Sequence, residues 1–154
     1  MTEAIPVTGV NEVTLETIDL PRAERFYTEV LGFPVLERWE GSHWTGREAV
    51  WVLAGSTRIG LWKPGLGISR ARPGVHVHYA MSVAADAYDD VVATLRSRGA
   101  AVDEVEFGGR KARSAYVMDP DGHVVEFWTW DVRKGNPGPP VAVSENVFGV
   151  PKSL

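Results

Sequence analysis

The chain has 154 residues, 44% of them hydrophobic and 23% charged, with a formal net charge of -4 and no cysteine. That length suits one domain or two very small ones, and the missing thiols exclude disulfides, thiolate zinc sites, iron–sulfur clusters and cysteine nucleophiles. Any metal must be held by His, Asp or Glu. No basic run exceeds the pairs Arg110-Lys111 and Arg133-Lys134, so nucleic acid is not expected as a partner. No apolar run approaches the ~18 residues of a membrane span, and the first residues carry no targeting pattern, so a cytoplasmic protein with no membrane partner is expected. Six tryptophans are many for this length, and some of the rings are expected to line a cavity.

Val10 to Ile18 alternates and is rich in β-branched residues, which predicts a strand stopping at Asp19-Leu20-Pro21, where Asp caps a helix and Pro fits its first turn. Ala23, Phe26, Tyr27, Val30 and Leu31 then recur at helical spacing, and Gly32 supplies a left-handed helix end. Three extended stretches are expected near 33–40, 48–54 and 57–63, separated by Gly41-Ser42 and Gly55-Ser56. After a Pro- and Gly-bearing connector at 64–73 the plan restarts. It runs through a strand at Val75–Val83, a helix from about 85 to 98 ending at Gly99, and strands at 101–107, 113–118 and 123–130. The last two strands are joined by the turn Asp119-Pro120-Asp121-Gly122.

Glu12 set against His78 aligns the opening strands, and Gly32 against Gly99 aligns the helix ends, at an offset of roughly 66 residues that reads as an internal duplication. The fold class is α+β, with one βαβββ module at 9–63 and a second at 74–131. Residues 132–154 form an extended tail. Its Val141, Val143, Val147, Phe148 and Val150 are too apolar for a free end and are expected to dock on the body or on a partner subunit.

Side chains alternate across a strand, so each strand sorts into two rows. Val13, Leu15 and Thr17 oppose Glu12, Thr14 and Glu16; Val77, Tyr79 and Met81 oppose His76, His78 and Ala80; Val125 and Phe127 oppose Val124, Glu126, Trp128 and Trp130. Three strands thus offer one apolar row and a second row with an ionisable group near its middle. Taken alone, Glu12 reads as a solvated carboxylate, and His76 and His78 as surface or hydrogen-bonded residues. Glu126 lies among Val, Phe and Trp and needs a partner. A divalent cation would satisfy two carboxylates and an imidazole together, and such ligation suits Mn, Fe, Co, Ni or Zn.

The segments E-V-T-L at 12–15, D-L-P-R-A-E-R-F-Y-T-E-V-L-G-F at 19–33, H-Y-A-M-S-V at 78–83 and S-A-Y-V-M-D-P-D-G-H-V-V-E at 114–126 resemble the vicinal oxygen chelate superfamily. That superfamily includes glyoxalase I, bleomycin-resistance proteins, extradiol dioxygenases and fosfomycin-resistance enzymes. The resemblance runs from about 9 to 131 and implies tandem βαβββ modules forming a curled mixed sheet around a cleft, often completed in a homodimer. It implies one divalent metal ion per site, with Glu12, His78 and Glu126 at the ligand positions. Glu12 stands where His is usual, and Gly60 stands where glyoxalase I adds a fourth carboxylate. The second half is most similar to the fosfomycin-resistance thiol transferases, and Thr14 falls on their site threonine.

The expected function is a metal-dependent lyase, isomerase or thiol- or water-adding enzyme acting on a small oxygenated substrate, with Glu12 and Thr14 in catalytic roles. His76, Trp62, Arg58, Tyr116, Trp128 and Trp130 are the expected substrate contacts, each with a plainer structural explanation beside it. The alternative is a non-catalytic protein that sequesters a drug or metabolite in an aromatic cleft.

Overall fold

Asp19 accepts a hydrogen bond from the Arg22 N–H at 3.0 Å, and Pro21 sits in the first turn, so the first helix starts where the sequence places it. The computed structural model describes residue 6, residues 9–63 and residues 77–144. In chain order these hold β1 (Glu12–Glu16), α1 (Leu20–Arg25), β2 (Val35–Trp39), β3 (Ala49–Ala54), β4 (Thr57–Trp62), β5 (His78–Ser82) and α2 (Tyr88–Ser97). Then come β6 (Asp103–Phe107), β7 (Ala112–Met118), β8 (Val124–Trp128) and β9 (Pro140–Ala142). The connector at 64–73, His76, and the tail residues Val147, Phe148 and Val150 lie outside the described residues.

The first helix differs from expectation in its second half, where Phe26–Val30 widens into a π-helical turn. Thr28 contributes by donating its hydroxyl to the Glu24 carbonyl at 2.8 Å. Gly32 then closes the segment at φ 77°. Helix α2 closes on a Schellman arrangement instead, with the Ala100 N–H donating to the Leu95 carbonyl at 3.0 Å beside Gly99 at φ 83°.

The chain divides into two compact units, β1–β4 with α1 and β5–β9 with α2. The first sheet runs β1-β4-β3-β2 and the second β5-β8-β7-β6-β9. In each, the opening strand pairs parallel with the fourth strand and the remaining neighbours are antiparallel. With β9 set aside the two orders are the same, as a duplicated βαβββ module requires. Strand β9 comes from the tail. Val105, Glu106 and Phe107 pair with Ala142, Val141 and Pro140, and the Ser144 hydroxyl accepts from the Glu104 N–H at 2.6 Å and donates to Asp103 at 3.1 Å.

In the first unit Leu15, Thr17, Val50, Val52, Ile59 and Leu61 form the apolar row, and α1 with its extension adds Leu20, Ala23 and Tyr27, all buried. In the second, α2 contributes Tyr88, Val92 and Leu95, and the Arg113 guanidinium stacks 4.0 Å from the Tyr88 ring centroid. Arg96 and the Tyr88 hydroxyl both reach Glu104, at 2.7 and 3.3 Å. Each helix thus covers one face of its sheet. The opposite face carries the candidate site residues.

Candidate functional site

On that face of the second unit, cross-strand register sets Ala80, Glu126, Tyr116 and Asp103 in one row and Ser82, Trp128, Ser114 and Val105 in the next. Glu126 is only 6% exposed, so its charge must be met by neighbours. Two meet it. The fully buried Ser114 hydroxyl donates to Glu126 Oε1, and His78 Nε2 lies 2.8 Å from Glu126 Oε2. The Tyr116 ring packs edge-on to His78 at 5.7 Å between centroids. Burial, and next the charge of Glu126, hold the Tyr116 hydroxyl above the usual phenol range, so it stays a neutral donor. One oxygen of Glu126 is thereby fixed, while the other lies within hydrogen-bonding distance of an imidazole nitrogen.

Trp128 lies on the same face against Phe107, with ring centroids 5.7 Å apart. Trp130 has a different setting: its indole N–H donates to the Gly135 carbonyl at 2.7 Å, and the Lys134 ammonium lies 6.0 Å from its ring centroid. It anchors the start of the tail. His123, directly after the Asp119–Gly122 turn, has a side chain only 15% exposed and lies 4.0 Å from Asp119.

In the first unit Glu12 and Arg58 are register partners, and the Arg58 Nε donates to Glu12 Oε2. The Thr14 hydroxyl donates to the other Glu12 oxygen at 3.3 Å, and the same guanidinium lies 3.5 Å from Glu37. Arg58 also sits 5.3 Å from the Trp51 ring centroid. Beside this network four tryptophans pack together. Trp39 stacks on Trp44 at 4.3 Å and 10°, and touches Trp51 at 4.5 Å and Trp62 at 5.7 Å, while Trp51 and Trp62 meet edge-to-face at 5.6 Å and 73°.

Gly60 lies beneath them. A Cβ there would stand 2.8 Å from Trp62 Nε1 and 2.9 Å from Trp51 Nε1, so position 60 has no room for a side chain unless the rings move. Both indole nitrogens are buried without a hydrogen-bond partner among the described residues, as is Trp128 Nε1. Each such N–H costs about 1–3 kcal/mol until an acceptor reaches it.

A family model described as Glyoxalase/Bleomycin resistance protein/Dioxygenase superfamily matches residues 9–127. The chain belongs to this superfamily. It is 25% identical over 119 residues to the glutathione transferase FosA of Serratia marcescens, covering 77% of this chain and 79% of that protein. Its fold is similar to the crystal structure of lactoylglutathione lyase from Agrobacterium tumefaciens, with a TM-score of 0.65 and 19% identity over 81% of this chain and 96% of that one. It is also similar to the fosfomycin resistance protein FosX of Listeria monocytogenes, solved with Mn(II) and sulfate, at a TM-score of 0.62 and 16% identity over 83% and 97% of the two chains.

The tandem modules of this superfamily repeat here at an offset of about 66 residues, which makes Glu12 the counterpart of His78, Gly60 of Glu126, Trp62 of Trp128 and Trp51 of Tyr116. Of the three expected ligands, the structure brings His78 and Glu126 together. Glu12 is held by Arg58 and Thr14, and among the described residues no group of three or more His, Asp or Glu is gathered as a metal-holding cluster. Sequence reasoning missed Ser114 and Trp51. Ser114 carried a usable signal, two residues before Tyr116 and hence on its face. Trp51 sits inside the unbroken apolar run Ala49–Leu53, where alternation gives no face.

Proposed function

We propose that this protein is a divalent-metal-dependent enzyme of its superfamily, a lyase, isomerase or thiol- or water-adding catalyst for a small oxygenated substrate. The observation that carries this reading is the convergence of His78 Nε2 and Glu126 Oε2, 2.8 Å apart, on a face where Ser114 already fixes the other Glu126 oxygen. Imidazole and carboxylate are a donor set for Mn, Fe, Co, Ni or Zn, and an orienting partner behind a ligating carboxylate is what metal sites require. The Mn(II) held by FosX lends support. Glu12 is proposed as the third donor on its sequence resemblance, and it must exchange Arg58 to serve. When bound, the metal would act as a Lewis acid toward substrate oxygen.

The chain's own residues supply the rest. Ser114 holds Glu126 in orientation, and Tyr116, whose neutral hydroxyl neighbours Glu126, is proposed as a substrate contact. Glu12, with Thr14 donating to it, is the proposed proton acceptor. His76 is proposed only as a further contact. A homodimer and a cytoplasmic location complete the proposal; among the described residues no helix is long and apolar enough to cross a membrane.

Chelator-treated protein titrated with Mn, Fe, Co, Ni and Zn tests this. One ion per chain should raise the melting temperature, with a stabilisation of about 2.7 kcal/mol at a hundred times Kd. His78→Ala and Glu126→Gln should abolish the effect. The Glu12–Arg58 pair favours a second reading, a sequestering protein in which His78 and Glu126 form a plain polar pair. Under that reading no ion binds, yet a flat ligand still quenches tryptophan fluorescence.

A further inference from the structure

The four tryptophans of the first unit make contacts of two kinds. Trp39, Trp51 and Trp62 meet one another at 59°, 43° and 73°, so these three rings interlock. Trp44 meets Trp39 differently. The two rings are parallel to within 10° at 4.3 Å between centroids, so Trp44 lies on its neighbour as a flat guest would.

The interlocked rings stand on β2, β3 and β4, whereas Trp44 comes from the turn between β2 and β3. That turn is built to move as a piece. Its short helical stretch, Ser42–Trp44, lies between Gly41 at φ 85° and Gly46 at φ 77°, conformations that favour glycine, and a Cβ at either would meet nothing within 4 Å. These glycines therefore serve backbone conformation and not close packing. The Trp44 N–H donates to the Gly41 carbonyl at 3.0 Å, the Thr45 hydroxyl to the Ser42 carbonyl at 3.0 Å, and the Arg47 N–H to the Trp44 carbonyl at 2.7 Å. Each of these bonds closes within the turn. His43 packs edge-on to Trp44 at 5.0 Å from the same turn, and among the described residues the ring contact that ties Trp44 to the sheet is its stack on Trp39.

We infer that Trp44 occupies the seat of a ligand: the Gly41–Gly46 turn carries it away from Trp39, and a planar fused-ring aromatic group of the ligand stacks on Trp39 in its place. The seat has the right size by construction, because an indole already fills it. A flat ring of similar area recovers the stacking that Trp44 gives up, while a saturated, puckered ring system does not. The exchange sets the affinity. Only molecules with the turn open accept the ligand, so the apparent dissociation constant exceeds the intrinsic one by the reciprocal of the open fraction. The inference rests on the reading that this protein binds a small molecule, and it adds the chemical class of that molecule's apolar part. It does not depend on the metal.

The test uses full-length, chelator-treated protein with nitrogen-15 in its tryptophans, titrated with coumarin, a flat fused-ring lactone, and with decalone, a puckered bicyclic ketone of similar size. Trp44→Phe assigns the Trp44 indole N–H signal among the six. On saturation with coumarin that signal should move to the position of a solvent-exposed tryptophan. Trp44→Ala, which empties the seat, should bind coumarin about tenfold more tightly than the parent, the gain expected when about one parent molecule in ten is open. Trp39→Ala should bind coumarin at least about tenfold more weakly, and the parent should bind decalone at least about tenfold more weakly than coumarin.

If Trp44 were a fixed wall of the site, Trp44→Ala would bind coumarin more weakly. That result overturns the inference, as do equal affinities of Trp44→Ala and the parent, coumarin binding to neither protein, a Trp44 signal that keeps its position at saturation, or decalone binding as tightly as coumarin. Should Trp44→Ala not fold, the Trp44 signal of the parent decides. Zinc titration of the same samples, read by melting temperature, reports the metal proposal separately, so that either can fail while the other stands.

Discussion

Replacing Ser114 with alanine isolates the group on which the Glu126 geometry depends. The hydroxyl is fully buried and donates to a carboxylate that is itself 6% exposed, so water cannot replace the lost donor. A hydrogen bond to a charged acceptor contributes about 1.5–3 kcal/mol, and an oxygen left unpaired in the interior adds to the loss. Ser114→Ala should therefore lower unfolding free energy by about 2 kcal/mol, a melting temperature drop of about 4–8 °C for a chain of this size. Urea denaturation at neutral pH measures it, with the exposed Ser82→Ala on β5 as a control expected within about 0.5 kcal/mol of the parent. Metal affinity should fall about 10- to 100-fold in the same variant, because the carboxylate loses its orienting partner. A Ser114→Ala protein as stable as the Ser82→Ala control would show that Glu126 is not desolvated, and the reasoning about its fixed oxygen would fail.

Arg58→Met, which frees Glu12 while keeping the stem over Trp51, should raise zinc affinity several-fold, and Glu12→Gln should lower it about tenfold; calorimetry reads both. Burial, and next the charge of Glu104, raise the Tyr88 hydroxyl above its ordinary value of 10.0. Since the folded state holds this proton more tightly, the associated stability is complete below about pH 10 and is lost as pH rises through the raised value. Phenolate absorbance should accordingly show a late component, shared with Tyr116, that Tyr88→Phe reduces and does not abolish. Ending the chain after Pro139 deletes β9 and the Ser144 bonds, and amide exchange across β6 should accelerate while β7 and β8 stay protected.

The order of elements was legible because each boundary carries its own chemistry. Asp19 caps, Gly32 and Gly99 terminate, and Asp119 accepts from the Asp121 and His123 N–H groups at 2.9 Å. The π-helical turn was not legible, since Phe26, Tyr27 and Val30 fit ordinary helical spacing and the widening depends on backbone choice. Strand β9 was hidden behind Pro137, Pro139 and Pro140, which read as irregular chain. At the site, alternation sorted Glu12, His78 and Glu126 onto polar rows correctly. What it lacked was partnership between remote residues: Arg58 lies 46 positions from Glu12, and Ser114 is 12 from Glu126.

Strand β9 also bears on how the molecule keeps to itself in a crowded solution. An open sheet margin is a template on which another chain can add a strand, and long flat ones seed aggregation. Three tail residues occupy that margin along β6. One of the two outer strands of the first sheet, β2, is guarded differently, with an irregular step between Val35 and Glu37 and the alternating charges of Glu37 and Arg38. Loss of the tail would thus turn a capped border into a sticky one, and shortened chains should cluster through β6 while β2 stays inert.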